Sequence, residues 1–112
     1  MDSILTSIKK LLGITEEYEQ FDPDIVMHIN AVFMILNQLG VGPEEGFSIE
    51  DKSTKWNEFL TDSILLGAVK PYMYAKVRLN FDPPSNSSIK EALVATVSEL
   101  EWRLNSAAER KE

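Results

Sequence analysis

The side chains able to do chemistry in this sequence are few and dispersed. There is one histidine, His28, and no cysteine. A single imidazole makes no histidine-based metal cluster, and the lack of thiols excludes disulfides, thiolate metal sites and cysteine nucleophiles. On a helical wheel His28 falls at the edge of an apolar face, the place of a structural histidine held by one hydrogen bond. Asp22 and Asp24 resemble the start of a calcium loop, but Pro23 lies between them. Neither the glycine nor the distal glutamate of such a loop follows. The carboxylate pairs Glu16/Glu17 and Glu44/Glu45 sit in connectors without pocket-forming apolar neighbours, so they read as solvated charge. Gly40, Gly42 and Gly46 lack the strand–helix context and the lysine of a phosphate loop. The expectation is a chain with no catalytic residues, no metal site and no cofactor.

The elements that must hold these residues read as helices. Ile4, Leu5, Ile8, Leu11 and Leu12 repeat on one helical face, with Ser3 as cap, Lys9 and Lys10 in the last turn and Gly13 just past it. The acidic connector ITEEYEQF (14–21) leads to FDPD. There Asp22 reads as the N-cap, Pro23 as the first helical residue, Asp24 as favourable dipole charge, and Phe21 as a staple onto Val26 or Met27. This second helix buries Ile25, Ile29, Val32, Phe33, Leu36 and Leu39. Its far side carries Met27, Asn30, Met34, Asn37 and Gln38, with no charge. Either the helix runs through the centre of the fold or its second face meets another subunit.

Residues 40–53 form a long Gly/Pro loop in which Phe47 and Ile49 alternate with polar residues, a pattern open to a short extended arm. A brief helical turn at 54–60 places Trp56, Phe59 and Leu60 together, and Thr61-Asp62-Ser63 is a cap cluster. Apolar residues wrap most of the helix over 64–81, so it reads as buried on more than one side. Pro71 either kinks it or moves its start to about residue 70. The second Phe-Asp-Pro, at 81–83, stops this helix, because Asp82 before Pro83 is pushed out of the helical region. Ser85, Asn86, Ser87 and Ser88 are four consecutive cap candidates, and Ser88 with Glu91 matches a capping box for the last helix, over about 87–108, with the stripe Ile89, Leu93, Val97, Leu100 and Leu104. Trp102 projects nearly opposite that stripe, beside Ala95, Ser98 and Glu91. Another helix of the chain covers it, or it anchors an interface.

The predicted fold is therefore an all-α bundle in one domain, 1–112. Its four principal helices cover about 3–13, 23–40, 64–81 and 87–108, with the extra turn at 54–60. Neither Phe-Asp-Pro belongs to an internal repeat, since the residues that follow the two copies differ. Net charge is −7, and residues 13–51 hold nine acids and no Lys or Arg. Such a surface repels phosphate and argues against sequence-independent nucleic-acid binding. The acids either serve solubility or meet a basic face on a partner or a second copy. The uncharged run from Ile25 to Pro43 contains His28, Asn30, Asn37 and Gln38, too many polar groups for lipid, so no membrane span is expected.

The words ILTSIKKLLGI (4–14), FDPDI (21–25), LNQLGVGP (36–43), GFSIED (46–51), Trp56, KVRLNFDPP (76–84) and SELEWRLN (98–105) span most of the chain. In their order and overall pattern they resemble the small head–tail connector (adaptor) proteins of long-tailed bacteriophages. Pro71 departs from the usual run in the third helix. The resemblance implies an all-helical, non-enzymatic structural protein without cofactor. It implies a homo-oligomeric ring at the virion head–tail junction, bound to the portal protein and followed by a tail-completion or stopper protein. DNA would pass through without specific binding, and assembly would take place in the host cytoplasm. Candidate interface residues on this reading are Asn30, Met34, Asn37, Phe47, Ile49, Ala95 and Trp102, with the 40–53 loop and the C-terminus reaching toward portal or tail. The competing class is a small acidic helical regulator or DNA mimic that binds another protein. A third is an enzyme subunit whose active site lies on a partner chain.

Overall fold

The computed structural model describes residues 2–110, and over them the chain is all-α. The helices in order are α1 (Ile4–Leu12), α2 (Asp22–Gln38), α3 (Trp56–Phe59), α4 (Ser63–Phe81) and α5 (Ser87–Arg110). Their extents follow the sequence periodicity to within a few residues. The Phe47–Ile49 arm forms no strand. The one sheet-like pairing among the described residues is an isolated bridge between Ser3 and Lys55.

Local chemistry explains where each helix begins and ends. The Ser3 hydroxyl accepts from the Thr6 N–H at 3.2 Å, and Gly13 at φ 82° ends α1 in the left-handed region. Asp62 caps α4 by accepting from the N–H groups of Ile64 and Leu65 at 3.0 and 3.1 Å. α2 ends in a paired turn: the Gly40 N–H donates to the Asn37 carbonyl and the Val41 N–H to the Leu36 carbonyl. Val41 is buried, which adds the hydrophobic contact such an ending favours. Asp82 leaves α4 at φ −145°, ψ 69°, as its position before Pro83 requires.

Three expected end signals are corrected. Asp22 is not the cap of α2: Phe21 holds that position with no side-chain hydrogen bond, and Asp22 is the first helical residue. Pro23 still sits in the first turn, where no backbone donor is needed. Ser88 lies inside α5, and the cap is Asn86, whose Oδ1 accepts from the N–H groups of Ser88 and Ile89 at 2.8 and 3.2 Å. Pro71 does not displace the start of α4, which runs unbroken from Ser63. The carbonyl that loses its donor belongs to Gly67, and both residues are exposed, so water reaches it.

α4 is the central helix. It packs against α1, α2 and, most extensively, α5. Leu66, Val69, Tyr72, Met73, Ala75 and Val77 are buried around much of its circumference. Each large apolar side chain so buried contributes about 1.5–3 kcal/mol. The Tyr72 hydroxyl donates to Glu101 Oε2 at 2.8 Å and ties α4 to α5. The N-terminal strand-like residues are pinned to α3: Ile4 N–H donates to the Thr54 carbonyl, Trp56 N–H to the Asp2 carbonyl, and the Trp56 indole to Ser7 Oγ at 3.1 Å. The molecule measures 41 × 35 × 20 Å, and so thin a slab leaves little depth to cover the outer faces of α2 and α5.

Candidate assembly surfaces

The surfaces are held in place by a buried charge. Lys9 is only 2% exposed. Its ammonium donates to the carbonyls of Glu16 and Tyr18 at 3.0 and 2.8 Å and meets Asp22 Oδ1 at 2.8 Å. Two hydrogen bonds and an ion pair thus offset the cost of burying this charge. The sequence places Lys9 in the last turn of α1, where the helix dipole favours a cation. Its role comes from the 14–21 connector, which folds back over α1 and supplies acceptors. Leu11, assigned to the buried stripe, is exposed instead.

Phe21, expected to staple α2, also belongs to a corner where both Phe-Asp-Pro words meet. Its ring lies 5.5 Å from Tyr18 and 5.5 Å from Phe81, centre to centre. His28 approaches the same Phe81 ring edge-on at 6.1 Å. The two tripeptides are thus neighbours in space through their phenylalanines.

The 40–53 loop is irregular but fixed. Asn30 clamps it, with Oδ1 accepting from the Ile49 N–H at 2.8 Å and Nδ2 donating to the Ile49 carbonyl at 3.0 Å. Asn37 Nδ2 donates to the carbonyls of Pro43 and Glu44. Ile49 is 2% exposed, and Phe47 stacks with Phe33 and Phe59 at ring separations of 5.0 and 5.3 Å. Gly42, at φ 92°, lies so close to Phe59 that an added Cβ would stand 2.4 Å from its ring. Of the expected interface residues, then, Ile49 is spent on the core, Phe47 lies largely against it, and the amides of Asn30 and Asn37 are engaged in holding the loop. The outward groups of the loop are Glu44, Glu45, Ser48 and residues 50–53.

Two helix faces remain bare. On α2, Met27 and Met34 are 60% and 63% exposed, with Ala31, Asn37 and Gln38 also exposed beside them. α2 is therefore not enclosed within its own chain. On α5, Trp102 is 68% exposed, and Val94 and Ala95 are exposed on the same helix. Among the described residues no other helix covers Trp102. Arg103, next to it, forks onto Glu99 through Nε and Nη2 at 3.2 and 2.9 Å. Asp82, Pro83 and Ser88, named as helix-end residues from the sequence, stand exposed at the α4–α5 corner.

Clefts accompany these faces: one of about 490 Å³ beside Trp102, Ser106 and Arg110, and two others. The larger, of about 680 Å³, has Leu5, Pro23 and Val26 as its apolar wall and Glu19, Glu50 and Asp51 among its rim residues. Ser53 donates to Asp51 from both backbone and hydroxyl, which holds the Asp51 carboxyl below the usual carboxylate range. The smaller, of about 380 Å³, opens beside the bare α2 face. Phe33, Met34 and Phe47 line it, with Glu45 at its edge. Among the described residues no three His, Cys, Asp or Glu side chains gather as a metal site, and no helix is long and apolar enough to cross a membrane.

The site is thus an uncharged face of α2, an exposed tryptophan on α5 and clefts with apolar walls and charged edges, suited to protein contact. No curated protein and no solved structure matches the chain. A family model does match: that of the phage connector proteins, a structural family, over residues 4–111. The match takes in all five helices and both bare faces, and this chain belongs to the phage connector protein family.

Proposed function

We propose that the protein assembles as a homo-oligomeric ring beneath the portal, joins the DNA-filled head to a tail-completion or stopper protein, and lets DNA pass. The observation that carries this reading is a mismatch between core and surface. The chain closes its own core around α4, yet leaves an uncharged face bare on α2 and a large exposed tryptophan, Trp102, among paired charges on α5. Exposed methionine and tryptophan of this kind mark surfaces that partners cover. A head-to-tail ring joins two different faces of one subunit and covers both. The acids of residues 13–51 suit a lumen wall, since carboxylates release no phosphate counterions and do not retain DNA. Trp102, Ala95 and Met34 are the residues assigned to subunit contacts. Assembly on the portal takes place in the host cytoplasm, before tail attachment.

Co-sedimentation with the portal ring of the same phage tests the reading. The chain is expected to pellet with the ring at fixed stoichiometry. Failure to bind, or an assembled lumen lined mainly by Lys and Arg, would overturn it.

A further inference from the structure

We infer that Trp102 of one copy seats in the Met34–Phe47 cleft of the next copy, and that this knob-and-socket contact is the repeating junction of the assembly. The inference deepens the ring reading and rests on it. Trp102 is the most exposed aromatic residue among those described, and its indole N–H bonds to no group among the described residues. The cleft of about 380 Å³ is of a size to take one indole side chain, and its wall is the aromatic and thioether surface that such a ring favours. Asn30 and Asn37 hold the cleft open from beneath by fixing the loop that forms its far wall.

Charge agrees with this pairing. Around Trp102 the charges balance: Arg103 is paired with Glu99, and Arg110 stands against Glu109. Around the cleft the loop carries Glu44 and Glu45, with no Lys or Arg anywhere from residue 13 to residue 51. Glu45 at the cleft edge supplies an acceptor for the indole N–H, and Arg110 faces the glutamate pair. The reverse pairing, cleft to cleft, would set like charges together. α5 carries the knob, and α2 with the 40–53 loop carries the socket, so each copy offers one of each and the contact between copies propagates head to tail.

The chain has no cysteine, so introduced thiols report the contact without background. Ser48→Cys lines the socket and Ser106→Cys lines the Trp102 face. The two variants are mixed on the portal ring under mild oxidation. The mixed disulfide dimer should exceed either homodimer by roughly tenfold, and the doubly substituted chain should give a ladder of higher oligomers. Adding Trp102→Ala or Met34→Arg should lower the mixed-dimer yield by roughly tenfold or more. Circular dichroism and Tm of each variant should match the parent, because both side chains are exposed. Portal binding without a mixed dimer would discard this junction and leave the ring reading in place. Ser106–Ser106 homodimers in excess would show a two-fold contact and discard it too. No portal binding at all would remove the ring reading and the junction with it.

Discussion

Replacing Lys9 by methionine removes the ammonium and leaves the Glu16 and Tyr18 carbonyls and the Asp22 carboxylate without their donor. Breaking a buried pair from one side costs about 3–5 kcal/mol, and the partial exposure of Asp22 places this case at the lower end. Urea unfolding of Lys9→Met should therefore show a loss of about 3 kcal/mol. A change below about 1 kcal/mol would mean that the 14–21 connector is not locked through this group. Tyr72 gives a second prediction at the same scale. Burial, then the hydrogen bond to Glu101 and its charge, push the phenol well above its ordinary value of 10.0. Above pH 10 the unfolded chain releases this proton while the folded chain keeps it, so stability falls as pH rises. The slope contributed approaches about 1.4 kcal/mol per pH unit. Tyr72→Phe should flatten the alkaline limb of a stability–pH curve, whatever its effect at neutral pH. An unchanged slope would show that Tyr72 ionises equally in both states.

The helix ends are where elements can be tested singly. Asn86→Ala removes the cap of α5 and should cost about 1 kcal/mol. Ser88→Ala should be close to neutral or slightly stabilising, since alanine is the better interior helix former. The opposite order in thermal unfolding would restore Ser88 as the cap. Both residues belong to the run of four polar residues from Ser85 to Ser88, and periodicity does not choose among them; the direction of the chain after Pro83 and Pro84 does. The loop between α2 and α3 has its own weak point. Asn30→Ala leaves the buried Ile49 segment without its two amide partners, at about 1–3 kcal/mol. Hydrogen exchange at the Ile49 amide should rise before that of the α4 core. Equal protection in both proteins would mean that Phe47, Phe33 and Phe59 hold the loop unaided.

For the whole molecule, the bare faces separate folding from assembly. Trp102→Ala and Met34→Arg alter exposed side chains and should change monomer stability by no more than about 0.5 kcal/mol. Their portal co-sedimentation should nevertheless fall sharply. Equal loss of thermal stability in the isolated chain would place Trp102 in the core. The Trp102 reading began as two alternatives, and exposure removed the first, because among the described residues no segment lies over the outer side of α5. The α2 reading followed the same course. An uncharged far side fits both a central helix and an interface helix. The packing of α4 between α2 and α5 made α4 the central one.

What the sequence determined alone was whatever repeats or acts locally. Apolar spacing set all five helices, and the Asp62 cap, the Gly13 and Gly40 endings and the Asp82–Pro83 stop are each a few residues of backbone chemistry. The likeness to connector proteins was also readable there, since it rests on the order of short words. The tertiary structure decided what depends on residues distant in the chain. It turned Lys9 from a helix-end cation into a buried lock, Asp22 from a cap into its counter-ion, and Ile49 from a surface candidate into core. It also brought the two Phe-Asp-Pro phenylalanines together, 60 positions apart in sequence. A side chain's burial and partners are set by which surfaces meet, and helical periodicity carries no information on that meeting.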